Sequence, residues 1–125
     1  MAMNHVLVVD DDPEIRAVVA DVLTMEECRV ETARDGAEAL ARIEAATPCV
    51  VLLDMRMPVM DGWQVAAQLR ERGLELPIVV MTAAHDARAW AEEIGADAVL
   101  AKPFELDELV ATVTRFAPCP PPDAT

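Results

Sequence analysis

The sequence predicts an α/β protein built on a doubly wound parallel sheet, and three observations carry that expectation. Five short apolar runs alternate with five stretches of helical periodicity along 125 residues. The runs are continuous in Val, Ile and Leu rather than strictly alternating with polar residues, the pattern of strands covered on both faces. Four of the five end in residues able to do chemistry. In a doubly wound sheet those ends share one edge, where ligands bind.

The first run is His5–Val9. The helix after it places Ile15, Val18, Val19, Val22 and Leu23 at i, i+3, i+4, i+7 and i+8, one apolar face. Asp12 reads as its N-cap and Pro13 as its first residue, where a missing N–H costs little. The second run, residues 28–33, is weaker, with Val30 and Thr32 as its β-branched members. Asp35-Gly36 opens the second helix, with Ala37, Leu40 and Ile43 inward and Pro48 after its end. Residues 49–53 form the third run, and a third helix is expected from about Asp61 to Arg72, stopped by Gly73. The fourth run is 77–81; a short helix follows, capped by Asp86 and ended by Gly95. The fifth run, 98–101, precedes a helix packing Leu106, Leu109, Val110, Val113 and Phe116. Trp63 and Trp90 fall on the third and fourth helices as half-buried packing residues, Trp90 alternatively on a partner-facing surface.

Composition bounds the function. A chain of 125 residues suggests one domain, and 54% hydrophobic residues exclude intrinsic disorder. No apolar run nears the roughly 20 residues needed to cross a bilayer, and no secretory signal is visible, so a cytoplasmic location is expected. Acidic residues number 23 against 10 Lys plus Arg, a net charge of −13 that repels phosphate backbones. Direct nucleic-acid binding by this domain is therefore not expected, nor is membrane association. Cys28, Cys49 and Cys119 form no CxxC pair and are read as reduced thiols. The domain is expected over residues 5–117, with the Pro-rich stretch 118–125 a tail or linker, and Met1-Ala2-Met3 without structure.

The strand ends carry the chemistry. The first ends in Asp10-Asp11-Asp12, the third in Asp54, the fourth in Thr82 and the fifth in Lys102. Taken singly, each has a bland meaning: an Asp after a strand is commonly a turn residue or a helix cap, and a lone Thr is commonly structural. Together they differ. Converging carboxylates repel one another and raise their pKa values, and a hard divalent cation relieves that repulsion. Mg²⁺, or Mn²⁺, takes oxygen ligands and keeps several waters, so two or three carboxylates suffice. A Lys beside them can pair with a phosphoryl oxygen, and a Thr hydroxyl can donate to another. Asp54 is then the candidate nucleophile, because aspartate can form an acyl phosphate.

These residues resemble the receiver domain of bacterial two-component response regulators. VLVVDDDPEIR resembles the family's acidic-pair segment, LLDMRMPVMDG its phosphoacceptor segment, VVMTA the segment with its Thr, and AKPF the one with its Lys. The resemblance covers about residues 5–116, and four segments in this order and spacing are specific where any one is weak. It implies a flavodoxin-like fold with strand order 2-1-3-4-5 and five helices. It implies that a sensor histidine kinase or phosphotransfer protein passes a phosphoryl group to Asp54, followed by autodephosphorylation. Asp10, Asp11, Asp54 and the backbone carbonyl of Arg56 would hold the metal. Thr82 and Lys102 would contact the phosphoryl group, and Lys102-Pro103 would be a cis peptide. Output would pass to a downstream protein, or to an output domain not seen in this sequence, through the fourth helix, fifth strand and fifth helix. The implied activity is self-phosphorylation and self-dephosphorylation, not turnover of an external substrate.

Two features depart from or tune that pattern. The aromatic that usually stands three residues before the Lys is Val99, and the chain has no Tyr. Val99 either fills an apolar notch or marks altered coupling, so an interaction module with little or no phosphorylation-dependent switching is the alternative function. Arg56 and Ala84, two residues after Asp54 and Thr82, would flank the route of attacking water; Arg56 would pair with an anion or be solvated. A phosphatase of the haloacid dehalogenase type needs a second Asp where Arg56 stands. A flavin or nucleotide site needs a Gly- or Ser/Thr-rich first loop, where this chain has Asp-Asp-Asp-Pro.

Overall fold

The structure, a computed structural model, describes residues 5–116. The Pro-rich tail, Cys119, Met1-Ala2-Met3 and the side chain of Ala84 lie outside the described residues. The elements run β1 (His5–Val9), α1 (Pro13–Met25), β2 (Arg29–Ala33), α2 (Gly36–Ala45), β3 (Val50–Asp54), α3 (Gly62–Glu71), β4 (Ile78–Ala83), α4 (Ala84–Ile94), β5 (Ala98–Lys102) and α5 (Leu106–Phe116). All strand pairs are parallel, in the order β2-β1-β3-β4-β5. That is the doubly wound, flavodoxin-like order the family resemblance implied.

The pleat sorts each apolar strand between two cores. Leu7, Val9, Val51, Leu53 and Val80 face one side and meet Leu40, Ile43, Val65, Leu69, Ala91 and Ile94 from α2, α3 and α4. Val6, Val8, Val50, Leu52, Val79 and Met81 face the other and meet Val19, Leu23, Leu109 and Val113 from α1 and α5. Burial on both faces is why the strands read as continuous apolar runs.

Helix starts follow side-chain caps. Asp12 accepts from the Glu14 N–H, Asp35 from Glu38, and Asp61 from Gln64, whose own side chain accepts from the Asp61 N–H in a capping box. The fourth helix corrects the expectation: it begins at Ala84 after Ala83, with no side-chain cap, and Asp86 sits in its first turn, where a negative charge suits the helix dipole. Three residues expected inward are exposed: Val18, Ala37 and Leu106. Val18 and Leu106 both line an open groove between α1 and the start of α5, which leaves them facing solvent. Strand ends also run longer than the apolar runs. Asp54 pairs with Met81, Thr82 with Ala101 and Ala83 with Lys102, so the polar residues belong to the ladder itself.

Close backbone packing sets the loop after β3. A Cβ on Gly62 would lie 2.5 Å from Met55 Sδ, 2.8 Å from Met55 Cα and 3.0 Å from the Asp54 carbonyl oxygen. Only Gly lets α3 start this close to the end of β3.

Candidate functional site

The strand order places β1 and β3 side by side, so their polar ends meet. Asp10 is fully buried, Asp54 is nearly so, and Asp11 is exposed. Each of the three offers a carboxylate oxygen, and these atoms lie within 4.8 Å of one another. Lys102 reaches across from the end of β5, with Nζ 2.8 Å from Asp10 Oδ2 and 3.7 Å from Asp54 Oδ2. Thr82 is buried at the end of β4, the strand between them in the sheet. Lys102-Pro103 is cis.

The carboxylates are held by more than the cation. Asp10 Oδ1 accepts from the Asp12 N–H at 2.9 Å, and the Asp10 carbonyl accepts from Arg16 Nη1 at 2.7 Å. Asp54 Oδ1 accepts from the Arg56 N–H at 3.2 Å. Burial, and then the nearby Asp10 charge, push the Asp54 pKa from 3.8 to about 7, while Lys102 and the Arg56 N–H pull it down. The site thus holds more negative charge than its one lysine neutralises. Three clustered carboxylate oxygens on a solvent-reaching rim are the hard, all-oxygen donor set that Mg²⁺ favours. The residues present fit such an ion.

Arg16 was not expected at the site. It stands one turn into α1, four residues after Asp12, and its only sequence signal was a cation following an acidic run. A groove of about 590 Å³ opens beside Lys102, lined by Ile15, Val18, Ala83, Pro103, Phe104 and Leu106 among others. On the other side of the site, the guanidinium of Arg56 lies 5.3 Å from the centre of the Trp90 ring.

The response regulator receiver domain family matches residues 6–114. The chain belongs to that family. The receiver domain is 42% identical over 121 residues to the response regulator MprA of Mycolicibacterium vanbaalenii, covering 95% of this chain and 52% of that one. It spans about half the length of the curated relatives it matches. Among solved structures, it is similar to the chemotaxis protein CheY4 of Vibrio cholerae, at 35% identity and TM-score 0.82 over 92% of this chain and 99% of the other. It is similar to the receiver domain of NtrX from Brucella abortus, at 33% identity and TM-score 0.81 over 88% and 95%. A receiver domain is the phosphoacceptor part of two-component signalling, and this chain carries an acidic cluster and a lysine together at the carboxyl edge of its sheet. Among the described residues, no helix is long and apolar enough to cross a membrane.

Proposed function

We propose that this receiver domain takes a phosphoryl group onto Asp54 from the phosphohistidine of a sensor kinase or phosphotransfer protein, and later hydrolyses it. The observation that carries the reading is Asp54 itself: a buried carboxylate beside two others, with one ammonium in reach. An Asp54 oxygen bonds to phosphorus, the bond from phosphorus to imidazole nitrogen breaks, and the leaving imidazole regains a proton. In dephosphorylation, water attacks phosphorus and Asp54 leaves as a carboxylate. Bound Mg²⁺ would supply charge neutralisation between the carboxylates and the phosphoryl oxygens. Asp10, Asp11, Asp54 and the Arg56 carbonyl would hold it. Lys102, already poised between Asp10 and Asp54, would shift to a phosphoryl oxygen, and Thr82 would donate to another. Arg16 would act through Asp10, fixing its backbone.

The phosphodonor would rest in the groove beside Lys102, whose apolar walls continue directly from the site. The domain would occupy residues 5–117, with 118–125 a tail leading to an output domain or partner. Output would use the face of α4, β5 and α5 rather than nucleic acid, which a net charge of −13 disfavours. A cytoplasmic setting follows from such a kinase partner.

Incubation with a small phosphodonor and Mg²⁺ tests the reading by intact mass. We expect one phosphoryl group on wild type, none on Asp54→Asn, and none with EDTA. Modification that ignores either Asp54 or the cation would refute it.

A further inference from the structure

The end of the third strand and the loop after it carry two residues with different neighbours. The Asp54 carboxylate turns into the acidic cluster, while Arg56, two residues on, extends its guanidinium over Trp90 of α4 at 5.3 Å. Trp90 in turn stands edge-on to Trp63 of α3, with ring centres 4.8 Å apart and planes at 67°. Trp63 Nε1 donates to Glu93 Oε1 at 2.7 Å, which ties the pair back to α4. Among the described residues, no carboxylate lies within ion-pair distance of the Arg56 side chain; the indole face is its contact. Val99 is half-buried against the same core as both tryptophans, so β5 offers no aromatic ring that could move in response to the site.

We propose that Arg56 is a positioning residue that couples the site to α4: phosphorylation of Asp54 draws its guanidinium off Trp90 and releases the Trp63–Trp90 pair. The proposal rests on the phosphoacceptor reading and adds how the rest of the fold senses it. Phosphorylation replaces one carboxylate charge with a group near −2 that carries three acceptor oxygens. The Arg56 backbone already donates to Asp54, so its side chain starts within one residue's length of those oxygens. A cation over a half-buried ring is a modest contact, whereas guanidinium–phosphoryl pairs are charge-assisted and two-pronged. Stacked on Trp90, the guanidinium makes no ion pair with Asp54 among the described residues, so pairing with the phosphoryl group requires it to move. Each state therefore holds α4 differently: stacked through Arg56 in one, freed of that contact in the other. The relay runs from the loop after β3 to α4 and bypasses β5, where the ordinary aromatic is missing.

The chain suits a direct test, because Trp63 and Trp90 are its only tryptophans and it has no tyrosine. The 125-residue chain is titrated with Mg²⁺ and beryllofluoride while tryptophan emission is followed, and adduct formation is counted independently by fluorine NMR. We expect a change in emission that tracks the adduct in wild type. Per adduct formed, the change should be several-fold smaller in Arg56→Ala and partly restored in Arg56→Lys, which keeps the charge but not the planar stack. In Trp90→Leu the adduct should still form while the remaining Trp63 emission no longer follows it. An adduct without an emission change in wild type, or an undiminished change per adduct in Arg56→Ala or Trp90→Leu, overturns the relay and leaves the phosphoacceptor reading standing. Absence of any adduct in wild type overturns both.

Discussion

Asp54 should destabilise the metal-free domain at neutral pH, and replacing it with Asn should stabilise the fold. Its pKa rises from 3.8 in an unperturbed chain to about 7 in the folded one, chiefly through burial and then through the Asp10 charge. Between those values the native state keeps a proton that the unfolded state has lost. Stability from this group is therefore full below pH 3.8 and is lost as pH rises through about 7. At 1.36 kcal/mol per pH unit, the interval from 3.8 to about 7 sets a ceiling of about 4 kcal/mol. Water reaching the rim and the Lys102 ammonium at 3.7 Å both reduce it, so roughly 1–3 kcal/mol is expected. Asn keeps the shape of the side chain without the charge. Urea unfolding followed by circular dichroism in EDTA, at several pH values from about 4 to about 8, measures the difference. Asp54→Asn should exceed wild type by roughly 1–3 kcal/mol at the alkaline end, with the gap closing toward the acid end. Saturating Mg²⁺ should narrow or reverse the gap, because the cation binds the native wild-type site more tightly. A gap that is absent, of opposite sign, or independent of pH would refute the reasoning.

Two further substitutions probe the loop that carries the site. Val59 is exposed and sits at φ 69°, a left-handed conformation that strains a β-branched residue, so Val59→Gly should raise stability by about 1 kcal/mol despite Gly's extra unfolded-state freedom, as read by urea melts. Gly62→Ala puts a Cβ 2.8 Å from Met55 Cα, where backbone must move, so it should lower stability by about 1–3 kcal/mol. It should also slow phosphorylation from a small phosphodonor, since the Asp54 carbonyl lies on the same contact.

How much of this was legible depended on the range of each interaction. The parallel sheet and its two-sided core follow from apolar runs and their alternation with helices, both local in sequence, whereas the strand order came from the family resemblance. The chemical rim was legible because parallel strands send every carboxyl end to one edge, so Asp10, Asp11, Asp54, Thr82 and Lys102 needed no coordinates to be grouped. Helix ends were legible where a side chain makes the cap, as at Asp12, Asp35 and Asp61, and misread at α4, where Ala83 makes none and Asp86 only resembled a cap. Val18 and Leu106 fit an apolar helical stripe perfectly well. Their exposure depends on a groove between two elements distant in the chain, which periodicity cannot register. Arg16 against the Asp10 carbonyl, and Arg56 against Trp90, are likewise pairings set by tertiary geometry.

The location of the surplus charge explains why a small chemical event at this edge can matter to the whole domain. Asp10 is anchored on three sides, by the Asp12 N–H, by Lys102 and by Arg16 through its carbonyl. Asp54 is the less restrained member, with a weak 3.2 Å backbone bond and a lysine at 3.7 Å that sits closer to Asp10. Added negative charge on Asp54 therefore cannot be met by the groups already engaged unless one of them leaves Asp10. Lys102 is such a group, and moving it pulls on the end of β5. Arg56, two residues along the chain, is a cation outside that balance, and moving it would release its contact with α4. Both responses act on neighbouring parts of one face, one through the strand and one through the helix beside it. A Val at position 99 removes a ring from that face without removing either electrostatic pull, so the site can keep its influence on the surface by a different route.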